Sequence, residues 1–204
     1  MQNNINDAIN DYYKSLEVCS NDVIAMHNLA RVLFETAQFE QALDLYSKII
    51  DAGEIYSEIF FNRGNVNAHL GNLDEAINDF SKSIEMNPND AESYHNRGRI
   101  YTEIQEFDKA LNDFTKAIEL NPQIDEIYNN RANVYYYLEM FSEALADYNK
   151  AIELSPNTEG YYNNRGLVYM ELNNNVQANN DFDKALHINP DFTEALKNKK
   201  SINN

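Results

Sequence analysis

The sequence predicts an all-α fold of short antiparallel helix pairs, and three observations carry that expectation. Alanine recurs at Ala8, Ala42, Ala76, Ala110, Ala144 and Ala178, always 34 residues apart, with an aromatic four residues after each. Within each period the apolar residues fall at helical spacing, as in Ala110, Leu111, Phe114, Ala117 and Ile118. Only 6 Gly and 4 Pro in 204 residues are too few for a turn-rich β protein, while 43% hydrophobic residues can fill a core.

The elements follow from that period. Residues 1–22 fit a second helix alone, a terminal half repeat with Ile5, Ile9, Tyr12 and Leu16 on an uncovered face. Five full units then occupy 23–192, at 23–56, 57–90, 91–124, 125–158 and 159–192. In each, a first helix such as Ser93 to Ile104 puts Tyr94, Gly98 and Tyr101 on one face. A second helix such as Phe107 to Leu120 follows, ended by the residue before Pro88, Pro122, Pro156 or Pro190, which proline pushes out of the α region. The Gly or Ala of the first helix is expected to face the Ala of the second, so that the backbones approach closely. Residues 193–204, containing "TEALKNKK", begin a further first helix that reads as a short basic cap. Three local departures stand out: Asn67 replaces an aromatic or Leu, Glu54 replaces the terminal Pro, and "NNNV" from Asn173 opens the last second helix.

Small residue, aromatic, Ala, aromatic and Pro at a period of 34 resemble the tetratricopeptide repeat (TPR) over nearly the whole chain. The resemblance implies a right-handed α-solenoid, a superhelix of antiparallel helix pairs whose concave groove is lined by first helices. It also implies a protein-interaction function.

Bulk charge narrows the partners. A net charge of −17 repels phosphate backbones and anionic lipid, so neither nucleic acid nor a membrane surface is an expected partner. No apolar run reaches the roughly 20 residues that span a bilayer, the amino terminus lacks a secretion-signal pattern, and the single Cys19 cannot form an internal disulfide. A cytoplasmic location fits these features.

Two polar positions recur where a plain helical core would not need them. Arg63, Arg97, Arg131 and Arg165 accompany Asp79, Asp113, Asp147 and Asp181, whereas the first full unit has Leu29 and Leu45 at the two positions. The matched exchange predicts ion pairs within each unit, bridging its two helices. On that reading Asp11, in the terminal half unit, lacks its arginine because its first helix is missing.

Asn28, Asn62, Asn96, Asn130 and Asn164 precede that position, and Asn198 continues the phase. Asparagine is a mediocre helix former, but its amide complements the N–H and C=O of a peptide unit. The row resembles the asparagine ladder in the TPR superhelix of O-GlcNAc transferase. That resemblance implies an adaptor that grips an extended peptide by its main chain. The plainer alternative is that the amides satisfy neighbouring helices, or were merely copied with the repeat.

Around the row, Arg31, Asn65, Arg99, Asn133 and Leu167 lie three residues later, and His27, Phe61, His95, Asn129 and Asn163 one residue earlier. His27, Arg31 and Glu35, repeated as His95, Arg99 and Glu103, form a stripe suited to intrahelical Arg–Glu pairing or to an acidic ligand group. The lysines of the chaperone-tail carboxylate clamp are absent, so that specialised use is not expected. No metal-ligand spacing, phosphate loop or nucleophile motif appears, so no catalytic residue, metal or cofactor is expected. Two further readings stay open: self-assembly into homo-oligomers through the uncapped half repeat, and membership of a larger enzyme as its TPR part.

Overall fold

In the computed structural model, which describes residues 2–202, every element is helical. There are twelve α-helices among the described residues and no strand. The chain divides into two compact units, Met1–Ile100 and Tyr101–Asn204, with the division falling inside one helix. The first unit holds α1 (Gln2–Val18), α2 (Val23–Glu35), α3 (Phe39–Asp51), α4 (Ser57–His69), α5 (Leu73–Met86) and most of α6 (Ala91–Glu103). The second holds the end of α6, then α7 (Phe107–Leu120), α8 (Asp125–Tyr137), α9 (Phe141–Leu154), α10 (Glu159–Glu171), α11 (Asn175–Ile188) and α12 (Thr193–Ile202). Consecutive helices pack on one another within each unit, and first helices also meet first helices, α2 on α4, α8 on α10 and α10 on α12. This is the α-solenoid architecture.

The pairs are antiparallel. Ser83, late in α5, donates to the Ser57 carbonyl at the start of α4 at 3.0 Å, while Asn67, late in α4, reaches Asp79 in the middle of α5. The second helices stop where proline demands it: Asn87, Asn121, Ser155 and Asn189 leave the helix with ψ between 80° and 98°. The turns between the two helices of a pair each place one residue at positive φ, and only Gly71 among Ala37, Gly71, Gln105, Glu139 and Asn173 takes it without a Cβ.

In the first unit the core gathers Leu29, Leu33, Tyr46, Ile49 and Val66, with Ile9, Tyr12 and Leu16 of α1 laid against it. In the second, Tyr148 and Val168 form one cluster and Tyr162 and Phe182 another. Full burial of a large side chain of this kind is worth about 1.5–3 kcal/mol.

The small residue of the first helix lies in one core cluster with the alanine of the second, as Ala30 does with Ala42 and Ala132 with Ala144, and it also meets the aromatic of the second helix at close range. A Cβ added to Gly64 would meet the Phe80 ring at 2.9 Å, and one on Gly166 the Phe182 ring at 2.6 Å. The ring of the second helix occupies the crossing point, so glycine there makes room for an aromatic edge. Units with Ala30 and Ala132 instead carry Tyr46 and Tyr148. The Tyr148 hydroxyl donates to Asn133 Oδ1 at 2.6 Å, a tether that phenylalanine cannot make. Gly goes with Phe, and Ala with Tyr.

Asn67, the departure in the second full repeat, is 4% exposed and fully engaged. It donates to Asp79 Oδ2 at 3.0 Å and accepts from Asn72 at 3.2 Å, so the polar substitution is paired rather than stranded.

Candidate functional site

The arginines lock each helix pair before any ligand is considered. Arg63 grips Asp79 with two parallel bonds of 2.9 and 2.7 Å, Arg131 grips Asp147 at 2.7 and 2.9 Å, and Arg165 grips Asp181 at 2.8 and 2.6 Å. These are bidentate forks, and the aspartates are buried. Pairing within the unit is as the Leu29/Leu45 exchange predicted. The remaining Nη1 does something the sequence reading missed: it reaches back 16 residues to the preceding second helix. Its acceptors are Ser47, Ser81, Thr115 and Asn149, at 3.4, 2.9, 3.0 and 2.6 Å from Arg63, Arg97, Arg131 and Arg165. The signal was present in the sequence, since each of these polar residues directly follows the aromatic of its second helix.

The asparagines sit one residue earlier on the first helices, all half-buried. Their donors turn toward the preceding first helix. In the second unit Asn164 Nδ2 donates to Asn129 Oδ1 at 3.1 Å and Asn133 Oδ1 at 3.4 Å, which uses both of its N–H groups. Asn198 donates to Asn163 at 2.9 Å, Asn163 to Asn164 at 3.4 Å, and Asn129 to Asn130 at 3.3 Å. Amides here satisfy one another, and Leu167 takes no part. Within this unit the amides bond neighbouring first helices, the arrangement that the plainer sequence reading describes.

In the first unit the same row is less saturated. Asn96 donates to Asn65 at 2.9 Å, and Asn62 Nδ2 lies 3.2 Å from His27 Nε2. Each of these bonds uses one N–H of its amide. The Asn28 side chain has no hydrogen-bond partner among the described residues. His27 is half-buried, and its Nε2 is 3.7 Å from Glu58. Burial lowers its pKa below the ordinary 6.5, against the raising effect of Glu58 and with a further lowering from Arg31. The neutral ring accepts from Asn62 through Nε2. The second stripe residue, Arg31, is exposed and makes no ion pair with Glu35, so the intrahelical pairing reading does not hold there. Arg99 is likewise exposed, whereas His95 is buried.

Two clefts flank the His27–Asn62 contact. One of about 340 Å³ is lined by Val23, Ile24, His27, Glu54, Tyr56, Glu58 and Ile59. The other, about 210 Å³, is lined by Arg31, Phe34, Glu35, Tyr46, Asn62 and Asn65. His27 thus lines the first cleft and Arg31, Asn62 and Asn65 the second, while Asn28 lines neither. Among the described residues no three His, Cys, Asp or Glu side chains group as metal ligands, and no helix is long and apolar enough to cross a membrane.

Comparison with known proteins agrees with this architecture. The tetratricopeptide repeat family matches residues 24–52, 57–90, 91–124, 126–158 and 160–192. The crystal structure of YrrB, described as a TPR protein with an unusual peptide-binding site, is similar with a TM-score of 0.76 at 25% identity, over 93% of this chain and 97% of its own. MamA from Desulfovibrio magneticus RS-1 is similar with a TM-score of 0.78 at 18% identity, over 83% and 96%. A chain of the APC/C hetero-tetramer Cut9-Hcn1 reaches 0.80 at 21% identity, over 98% of this chain and 40% of its own. At those last two identities the likeness concerns the fold alone. No curated protein matches by sequence. Five matched repeats across most of its length establish that the chain belongs to the tetratricopeptide repeat family.

Proposed function

We propose that the chain is a non-catalytic protein-interaction adaptor, binding an extended polypeptide segment across the first helices of its amino-terminal unit. The observation that carries this reading is unspent hydrogen-bonding capacity. The Asn28 side chain has no hydrogen-bond partner among the described residues, and Asn62 keeps one N–H and its carbonyl oxygen beside the cleft of about 210 Å³. A peptide unit needs one donor and one acceptor from each amide that grips it, and these two can supply both. Asn164, whose N–H groups are both engaged, has no donor to offer. Arg31 would accept a carboxylate of the bound segment, and Glu58 a basic side chain, so the charged groups set orientation while the amides read the main chain. The likeness to YrrB, described with a peptide-binding site, supports this class of ligand.

The test is selection from a displayed random-peptide library, followed by affinity measurement on the peptides recovered. Asn28→Ala with Asn62→Ala should weaken binding of selected peptides about tenfold or more, as expected for losing two buried hydrogen-bonding partners. Methylating peptide nitrogens in the selected segment should do the same. Undiminished affinity in the double variant would refute a main-chain grip by these amides.

A further inference from the structure

The first full repeat departs from its copies at one junction. In later repeats an arginine of the first helix fills the gap between consecutive second helices. Arg63 forks Asp79 and reaches Ser47, and Arg165 forks Asp181 and reaches Asn149. A lysine joins it over an aromatic ring: Arg63 and Lys82 lie on Phe60, Arg165 and Lys184 on Tyr162. In the first full repeat Leu29 replaces the arginine, Leu45 the aspartate, Met26 the ring and Tyr13 the polar acceptor. Four exchanges in register turn a filled, charged junction into an apolar one.

The junction is also open. Between α1 and α3 lies a cleft of about 480 Å³ with Leu16, Met26 and Leu45 in its lining. Tyr13 stands at the α1 edge, and its hydroxyl donates across to Gln41 Oε1 of α3 at 3.0 Å. The α3 edge is acidic, with Glu40 and Asp44 both exposed. Asp44 is peculiar to this repeat, since its equivalents are Asn78, Asn112, Ala146 and Asn180. The repeat thus lacks the buried carboxylate at Leu45 and carries one at the exposed edge, one residue earlier. Lys48 holds Asp44 Oδ2 at 2.7 Å, whereas Glu40 makes no ion pair among the described residues. Carboxylate oxygens remain for an incoming cation.

We propose that this cleft is a second docking site, for a polypeptide segment that inserts one apolar side chain and lays a neighbouring lysine or arginine along Glu40 and Asp44. An apolar hollow of this size suits a buried anchor residue, and the acidic edge selects a basic flank. The partner then supplies from outside the cation that other repeats supply from their own first helix. The site does not depend on Asn28 or Asn62. The clefts beside His27 and Asn62 are lined mainly from α2 and α4, whereas this one is lined from α1 and α3 with Met26 between them. One amino-terminal unit can therefore hold two segments and bridge them.

Selection of displayed random peptides on Asn28→Ala/Asn62→Ala tests this, because that variant lacks the amides of the other site. Recovered peptides should pair an aliphatic or aromatic residue with an adjacent Lys or Arg; peptides without that pairing would overturn the proposal. Their affinities are then compared, in the same background, for Leu29→Arg/Leu45→Asp/Tyr13→Ser, which copies the internal repeat and fills the cleft. Binding should fall roughly tenfold or more with the helical circular dichroism retained. Glu40→Gln/Asp44→Asn alters only the exposed edge, so it decides the matter even if the triple variant fails to fold. Here affinity should drop several-fold and lose most of its dependence on salt. Affinity unchanged at the edge variant would overturn the proposal. Self-association of the wild type in sedimentation velocity, abolished by Glu40→Gln/Asp44→Asn, would make the occupant a second copy and overturn the choice of partner.

Discussion

The two compact units carry the same asparagine row and spend it differently. In Tyr101–Asn204 the flanking residues are themselves amides: Asn129 and Asn163 one before the row, Asn133 three after. Donors and acceptors there close on one another from Asn198 through Asn163 and Asn164 to Asn129. In Met1–Ile100 the flanks are mixed: Asn65 accepts from Asn96, His27 supplies a single acceptor to Asn62, and none serves Asn28. The same residue at the same repeat position is thus a structural strut in one unit and an open hydrogen-bonding group in the other. Its neighbours decide which.

That contrast can be broken most sharply through the struts beneath it. Asp147→Ala would leave Arg131 buried without its counter-charge, and loss of one partner of such a pair costs about 3–5 kcal/mol. Replacing both, Arg131→Leu with Asp147→Leu, copies the Leu29/Leu45 arrangement of the first repeat and should recover most of that loss in urea denaturation. If the single variant proved nearly neutral, the fork would be ornamental. Next in size, Gly166→Ala forces a Cβ to 2.6 Å from the Phe182 ring, and overpacking of this kind costs about 1–3 kcal/mol. Thermal unfolding should show it clearly, while Gly160→Ala, with nothing within 4 Å, should not fall below wild type.

The row itself gives the third comparison. Asn164→Ala removes two interhelical bonds and should destabilise by ~1–2 kcal/mol, whereas Asn28→Ala should stay within ~0.5 kcal/mol of wild type. Equal losses at the two sites would erase the distinction between strut and open group. The smallest effect concerns pH. His27 has its pKa lowered in the folded chain from the ordinary 6.5, so folding favours the neutral ring. Its contribution is fully present above the unfolded value of 6.5 and is lost as pH falls below it toward the depressed folded value. His27→Gln should flatten the stability profile in that acidic window and leave neutral pH unchanged. The same fall in pH would put a proton on the nitrogen that accepts from Asn62.

Much of the fold was legible because the repeat writes its packing rules five times over. Leu29 with Leu45 exposed the Arg–Asp pairing as plainly as any contact map, since two residues changed together. The pairing of Gly64 with Phe80 and Ala132 with Tyr148 was written in the same way, but it concerns ring position and hydroxyl tethering, which spacing alone does not reveal. The second arm of the arginine was harder still, because its acceptors Ser47, Ser81, Thr115 and Asn149 share polarity and not identity. As for the asparagines, their partners lie 35 or 31 residues earlier, in the neighbouring repeat. A reading of one repeat at a time finds the row and misses where its donors go.

The central claim is that unspent amides at Asn28 and Asn62 hold a partner's main chain. Its most direct measurement is the affinity of library-selected peptides for wild type, for Asn28→Ala/Asn62→Ala and for Asn164→Ala. The account predicts a loss of about tenfold or more in the double variant and near-wild-type affinity in Asn164→Ala once it is held well below its melting temperature. The reverse order, with Asn164 decisive and the amino-terminal pair silent, would contradict it.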